Sequence, residues 1–444
     1  MSVEIITLLF LIAILVGALS GYPIGLVLGG WSLFIGYINF GTSIFDLMYI
    51  RSFSFLLNYT MLAIPLFIFM GYILGHTGIA KRMYQSLYLI FSVLRGGLAA
   101  ITIIIGTVLA ACVGVIGASI AILSVLALPS MLEKKYNKGL ASGSVAAGGT
   151  LGILIPPSVM LVIYGPMANI SVGKLFLGAM TPGLLLAGLY VLYILIRSSL
   201  QPELGPAAPV AEREVPLLQK SKMLLLSLLP PAFLVFSVLG VIYLGIAAPT
   251  EAAAVGSAGA IILGIAYRKF TMAVLKESVL NTLKVTGFIM FIGIFANALV
   301  GVFLKLGCGE VVANLILSMP GGKWGAFAII MAIIFAAGMF IDWIGIIFIM
   351  VPIISPIVTR LGFDPVWFAI MVCVNLQLSF MTPPMAPAIF YLRGMVSKEM
   401  GINTGQIIRG VLPFIGIIMI TILLLVLFPE IITWLPNRMV RVGW

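Results

Sequence analysis

The chain has 444 residues, of which 62% are hydrophobic and 8% are charged, and its mean hydropathy is +1.26. This composition excludes a soluble globular domain and predicts an all-α polytopic membrane protein embedded in a lipid bilayer. The formal net charge of +11 comes from Lys and Arg gathered in short loops between apolar segments. Such residues set topology, so the charge does not indicate nucleic-acid binding.

The first apolar run, residues 3–19, carries Glu4 and has no basic residue before it. This differs from a secretory signal and predicts a retained first span. Basic residues mark the loops between later spans: Lys81, Arg82, Arg95, Lys134, Lys135, Lys138, residues 197–222, Arg268 and Lys269. If all of these lie in the cytoplasm, as the positive-inside rule favours, counting the crossings places both termini in the periplasm.

Residues 96–133 are predicted to form a re-entrant hairpin, which enters and leaves the membrane on the same side, because basic loops flank both of its ends. The segment is too long for one span and suits two half-membrane helices, which together take roughly 35 residues. Gly114 and Gly117 supply the conformational freedom that a tip needs, and Ser119 follows them. The alternative makes residues 150–158 the hairpin tip, but it would place the two basic loops on opposite faces of the membrane.

A double proline interrupts the next predicted span, about residues 138–168, near its middle. Pro156 and Pro157 lie in the string Gly-Gly-Thr-Leu-Gly-Ile-Leu-Ile-Pro-Pro-Ser, which runs from Gly148 to Ser158. Proline removes an amide donor and clashes with the preceding turn, so the helix breaks and leaves carbonyl groups without partners. Such a break is tolerated at membrane depth only where protein or a polar cavity covers it, and its carbonyls and helix ends suit ions or anionic groups.

The second half is predicted to repeat this arrangement in inverted sense, with a second double proline at Pro383 and Pro384. A return span over 172–196 completes the first half, and a cytoplasmic linker over about 198–222 joins the two halves. The second half is then predicted to contain a span over about 285–304, a hairpin over 321–360 with its tip at 338–343, a broken span over about 365–392 and a last span over about 406–428. Two broken spans in inverted repeats are typical of a secondary transporter.

Three strings together resemble the large membrane subunit of tripartite ATP-independent periplasmic (TRAP) transporters: Gly148–Ser158, Ala63–Gly71 and Ala248–Gly256. The resemblance covers nearly the whole chain. It implies sodium-coupled uptake of an organic acid in a bacterial inner membrane, with two partners: a periplasmic substrate-binding protein and a small four-helix membrane subunit. At the second break, Met385-Ala386-Pro387-Ala388 stands where a Val-Gly-Leu-Asn type string is frequent, which leads away from C4-dicarboxylates and sialic acid toward another carboxylate or a polyol-like substrate.

The resemblance also implies an elevator mechanism, in which hairpins and broken helices move as a block against a scaffold. On this division the transport domain comprises residues 96–170 and 321–394. Scaffold and arm helices comprise residues 1–95, 171–320 and 395–444.

A sodium ion (Na⁺) needs about five or six oxygen ligands and no large opposing charge, so carbonyls at a break and one or two hydroxyls suffice. Each hairpin tip is expected to combine with the break of its own half. The first predicted sodium site comprises Gly114, Gly117, Ser119, Gly149, Thr150, Gly152, Ile155, Pro156 and Ser158. The second comprises Gly338, Asp342, Ser379, Met381, Thr382 and Met385. The alternative is that the glycines and prolines serve only close helix packing.

The substrate candidates are Ser119, Ser158, Asp342, Thr382 and Arg393. Asp342 is an acid at a hairpin tip, and an ionisable group inside a membrane is by default a functional hypothesis. The alternative role for Asp342 is to cap the helix that follows it. Arg393 ends the second broken span, where an interfacial anchor is the alternative to a substrate clamp.

An intramembrane enzyme and a stand-alone carrier are the two alternatives to a tripartite transporter. An intramembrane metalloprotease needs clustered histidines, and His76 is the only histidine in the chain. The three cysteines have no metal-ligand spacing, and the sequence has no Gly-x-x-x-x-Gly-Lys-Ser/Thr loop for ATP. We therefore predict that the chain is not an enzyme. The nearer alternative is a stand-alone sodium-coupled carboxylate carrier, which needs no binding protein.

Overall fold

The computed structural model describes residues 2–113, 116–207 and 217–439, and these residues form helices and turns, with no strand among them. The first half contains α1 (Val3–Leu19), α2 (Ile24–Phe40), α3 (Ser43–Leu56), α4 (Ala63–His76), α5 (Ile79–Phe91), α6 (Gly97–Val113), α7 (Ile116–Glu133), α8 (Lys138–Thr150), α9 (Val159–Ala168) and α10 (Val172–Leu200). The second half contains α11 (Leu217–Tyr243), α12 (Pro249–Ala266), α13 (Met272–Lys305), α14 (Cys308–Leu317), α15 (Gly322–Gly338), α16 (Trp343–Arg360), α17 (Pro365–Met381), α18 (Pro387–Met395), α19 (Thr404–Leu427) and α20 (Glu430–Asn437).

Eight helices in the described part of the chain are long and apolar enough to cross a membrane. They span Tyr59–His76, Ile116–Glu133, Val172–Leu200, Leu225–Tyr243, Pro249–Ala266, Met272–Lys305, Trp343–Arg360 and Thr404–Leu427. Many large apolar side chains on these and shorter helices are exposed, as lipid contact requires. The prediction of an all-α polytopic membrane protein is therefore confirmed.

The first predicted hairpin corresponds to α6 and α7, which pack against each other and against α8. A close approach of two backbones brings α6 onto α8: a Cβ atom added to Gly106 would lie 2.6 Å from the carbonyl oxygen of Gly148. Glycine at both positions permits this contact. In contrast, α8 and α9 do not pack side by side, so the arrangement favours a hairpin before the break over one whose tip is residues 150–158.

The second predicted hairpin corresponds to α15 and α16, joined by a turn at residues 339–342. These helices pack mainly on different partners, α15 on α17 and α16 on α9 and α13. An aromatic cluster joins α15 to α17 and to the turn before it, through Trp324, Phe327, Phe363, Trp367 and Phe368. The α17 helix is also tied to α15 by a hydrogen bond from Asn375 Nδ2 to the Met331 carbonyl at 2.8 Å.

Each hairpin packs on the broken span of the other half. The second helix of the first hairpin, α7, packs on α18, which follows the second break. The second helix of the second hairpin, α16, packs on α9, which follows the first break. The two hairpins and two broken spans therefore interlock.

The linker between the two halves is shorter in the structure than the sequence predicted. Helix α10 continues to Leu200 and α11 begins at Leu217, whereas the linker was expected over residues 198–222. Its first part is anchored, because the Gly205 carbonyl accepts from the Gly96 amide at 2.8 Å and the Leu204 carbonyl accepts from the Asn137 amide at 2.9 Å. These bonds hold the start of the linker against the two ends of the first hairpin.

Candidate ion and substrate site at the helix breaks

Both broken spans are interrupted at their double prolines. Helix α8 ends at Thr150 and is followed by a 3₁₀ turn over Leu151–Ile153 before α9 begins at Val159. Helix α17 ends at Met381, and α18 begins at Pro387. In each break the peptide bond between the two prolines is cis. Neither break continues as an α-helix, so backbone carbonyls near both points lack α-helical partners.

The two breaks meet inside the molecule. The Thr150 hydroxyl lies 3.5 Å from Met381 Sδ, and Gln377 Nε2 donates to Thr150 Oγ1 at 3.4 Å. Gln377 is fully buried, and its Oε1 has no hydrogen-bond partner among the described residues. A buried acceptor without a partner is costly, which makes Gln377 a candidate ligand that the sequence patterns did not indicate.

The first hairpin reaches the first break through α7. A Cβ added to Gly149 would lie 3.2 Å from the backbone nitrogen of Ile120. The neighbouring Ser119 is fully buried, and its hydroxyl has no hydrogen-bond partner in the described chain. The structure therefore brings α7, at the residue next to Ser119, against the C-terminal end of α8 beside the first break.

Other residues of the first predicted site divide into three groups. Gly152, Ile155, Pro156 and Ser158 are all buried within the break. Gly117 faces α18 instead, since a Cβ at this position would lie 3.4 Å from the ring of Tyr391. Gly114 lies outside the described residues.

The second hairpin reaches the second break at Gly338. A Cβ added there would lie 2.9 Å from the Cβ of Ser379, so α15 and α17 approach this closely only because position 338 is glycine. Met381 is buried, whereas Met385 is 45% exposed. Asp342 is exposed and immediately precedes α16.

Three hydroxyl groups at the breaks each donate their proton to a backbone carbonyl. Ser158 donates to the Ile153 carbonyl at 2.6 Å, Ser379 to the Leu376 carbonyl at 2.7 Å and Thr382 to the Leu378 carbonyl at 2.7 Å. A hydroxyl that has already donated its proton can offer only lone pairs to a ligand. These oxygens therefore suit a cation better than an anion.

Donors for an anionic substrate are fewer. Ser119 has a free hydroxyl proton, and Arg393 is exposed while its Nη1 donates to the Ile402 carbonyl at 3.1 Å. Tyr391 of α18 was not predicted from the sequence, and its ring packs against Gly117 of the first hairpin. No periodic pattern distinguishes this tyrosine from others in apolar helices.

No group of three or more His, Cys, Asp or Glu side chains converges within the described ranges. The hydroxyl and amide oxygens described at the breaks are neutral. This donor set fits Na⁺, which is bound by oxygen and needs little compensating charge.

Comparison with known proteins places this architecture in a family. Residues 11–431 match the model of the DctM component of tripartite ATP-independent periplasmic transporters. The C4-dicarboxylate TRAP transporter large permease protein DctM of Vibrio cholerae is 30% identical, over 97% of each chain. The sialic acid TRAP transporter large permease protein SiaM of the same species is 30% identical, over 87% of this chain and 88% of its own. The 2,3-diketo-L-gulonate TRAP transporter large permease protein YiaN of Escherichia coli is 25% identical, over 96% and 97%.

Among solved structures, the YdaH transporter of Alcanivorax borkumensis has a similar fold, with a TM-score of 0.61 and 17% identity over 96% of this chain and 98% of that one. At this identity the likeness concerns the fold alone. The family match and the TRAP relatives cover nearly the full length. The chain therefore belongs to the DctM family, the large membrane permeases of tripartite ATP-independent periplasmic transporters.

Proposed function

We propose that this permease carries out sodium-coupled uptake of an organic acid delivered by a periplasmic substrate-binding protein, together with a small membrane subunit. The relatives are named for C4-dicarboxylates, sialic acid and 2,3-diketo-L-gulonate, all of which bear a carboxylate. The observation that carries the proposal is the contact between the two breaks at Thr150, Gln377 and Met381.

Helix polarity explains how one region could hold a cation and an anion. The C-terminal ends of α8 and α17 present carbonyl groups and partial negative charge to the breaks, which favours Na⁺. The N-terminal ends of α9 and α18 present amide groups and partial positive charge, which favours a carboxylate. Sodium bound beside the substrate would lower the cost of placing an anion at membrane depth, so each ligand would favour the binding of the other.

The reciprocal packing of α7 on α18 and of α16 on α9 supports an elevator mechanism. Because each hairpin packs on the broken span of the other half, the two hairpins and the two broken spans can move as one block. A block of this kind would carry both breaks, with their ligands, past the scaffold. Inverted repeats related by an axis in the membrane plane are a known basis for such movement.

Uptake driven by different ions tests the proposal. Proteoliposomes containing the chain and its small partner, supplied with loaded binding protein, should accumulate substrate when Na⁺ is outside, with a rate that rises steeply with sodium concentration. Replacement of Na⁺ by K⁺ or choline should abolish accumulation even with a proton gradient. Equal accumulation in these media would contradict sodium coupling.

A further inference from the structure

A cavity of about 820 Å³ lies away from the helix breaks, between α5, the first hairpin and α11. Its polar rim contains Lys81, Tyr84, Tyr88, Ser130 and Lys134, and Glu133 is also present. Its remaining wall is formed by Gln85 and by six apolar residues, Leu89, Leu98, Val125, Leu126, Pro129 and Met223. The cavity thus combines a cationic, hydroxyl-bearing rim with an apolar interior.

One hydroxyl that lines this cavity is buried and unpaired within the described chain. Tyr84 is only 7% exposed, and its Oη has no hydrogen-bond partner in the described part of the chain. The neighbouring Ser130 directs its own hydroxyl to the Leu126 carbonyl at 3.4 Å. An unpaired phenol at this depth is unfavourable unless a ligand supplies the partner.

Lys81 lies in the first turn of α5 and Lys134 in the turn after α7, at helix ends that the positive-inside rule assigns to the cytoplasmic face. The apolar wall continues to the lipid-facing surface, because Val125 is 70% exposed and Met223 is 37% exposed. A ligand here would therefore have its anionic group at the level of the lipid headgroups and its apolar part directed toward the acyl chains. A soluble anion would leave the apolar wall uncovered.

We propose that this cavity binds an anionic phospholipid, whose phosphate is held by Lys81 and Lys134 and by the Tyr84 hydroxyl. Basic pockets between transmembrane helices on the cytoplasmic side recognise such headgroups. The immediate neighbour of Lys81 is engaged elsewhere, since the guanidinium of Arg82 lies 4.5 Å from the ring centroid of Tyr267. The lipid would bridge α5, which Ser86 ties to Ser227 of α11 at 2.7 Å, and the first hairpin.

Thermal unfolding of the full chain in a neutral maltoside detergent tests this proposal. Phosphatidylglycerol should raise the unfolding temperature by several degrees more than phosphatidylcholine with the same acyl chains, because a ligand that binds only the folded state stabilises it. Inorganic phosphate should give no comparable rise. In the double variant Lys81→Gln/Lys134→Gln, the two lipids should have equal effects.

Two further variants sharpen the measurement. The matched control Arg82→Gln/Lys135→Gln removes the same charge from adjacent positions that do not line the cavity, and it should keep the preference for phosphatidylglycerol. Tyr84→Phe should unfold at or above the original temperature without lipid, yet show a smaller response to phosphatidylglycerol. An unchanged preference in Lys81→Gln/Lys134→Gln, or the same rise with inorganic phosphate, would overturn the proposal.

Discussion

Substitution of Ser119 is the most direct test of the proposed sodium site at the level of a single residue. The buried Ser119 hydroxyl has no partner among the described residues, so Ser119→Ala removes an oxygen without breaking a hydrogen bond. We expect sodium affinity to fall by about 1–2 kcal/mol, or roughly 5- to 30-fold, while the unfolding temperature stays the same or rises slightly. The sodium dependence of uptake, measured alongside thermal unfolding, checks both parts.

The same helix offers a matched control for this variant. Ser124 is buried too, but its hydroxyl donates to the Ile120 carbonyl at 2.6 Å. Ser124→Ala should leave sodium affinity unchanged. If Ser119→Ala also transported normally at limiting sodium, its hydroxyl would not be a ligand.

Gln377 provides a second test at the junction of the breaks. Its bond to Thr150 is long at 3.4 Å and its Oε1 is unpaired among the described residues, so Gln377→Leu removes little stabilising interaction. We expect the unfolding temperature to change little and uptake to be largely lost. Normal uptake by Gln377→Leu would remove this residue from the site.

Contact between elements depends on Gly338, where the second hairpin approaches the second break. In Gly338→Ala the new methyl group would overlap the side chain of Ser379, so α15 and α17 would have to separate. We expect a loss of stability of about 1–3 kcal/mol and a fall in sodium affinity. Gly416→Ala in α19 is the control, because no atom lies within 4 Å of the added Cβ; it should be neutral or stabilising.

One ion pair joins an element of the proposed scaffold to one of the proposed transport block. Arg360 at the end of α16 donates to both carboxylate oxygens of Glu310 in α14, at 2.9 and 2.7 Å. These hydrogen bonds and the guanidinium charge hold the pKa of Glu310 below its ordinary value. The pair therefore persists at neutral pH and is lost only as the pH falls through that lowered value.

If α16 moves past α14, this pair must open during transport. Cysteines at positions 310 and 360, in a chain without its native cysteines, can be joined by a cleavable cross-linker. We expect the cross-link to stop uptake and cleavage to restore it. A cross-link between positions 323 and 363, which both belong to the proposed transport block, should be tolerated. Continued uptake with 310 and 360 joined would show that α14 and α16 move together.

The positions of the helices could be predicted from local chemistry. The proline pairs at 156–157 and 383–384 predicted the helix breaks, and a glycine predicted the end of the hairpin helix near 338. Contacts between the halves could not be predicted in this way. Gln377 and Tyr391 meet Thr150 and Gly117 across more than two hundred residues, and no period or motif in a single sequence encodes such a pairing. The anchoring of Gly205 to Gly96 was missed for the same reason.

At the scale of the whole molecule, a basic side chain lies near the C-terminal end of the described chain. Arg438 follows α20, and its guanidinium lies 4.6 Å from the ring centroid of Trp434. The crossings counted from the sequence predict that this end lies in the periplasm, the side on which the proposed binding protein would dock. Basic residues at the rim of an interface act mainly on the association rate. Arg438→Glu should therefore slow uptake, most strongly at low salt, without changing sodium affinity; an equal loss at all salt concentrations would contradict this role.

The central claim is that transport requires both a sodium gradient and a binding protein. Its most direct test is the simultaneous measurement of substrate and sodium entry into proteoliposomes that hold this chain and its small membrane partner, with and without loaded binding protein. We predict that substrate and sodium enter together only when the binding protein is present. Sodium-driven entry of free substrate without the binding protein would contradict the tripartite account and favour a stand-alone carrier.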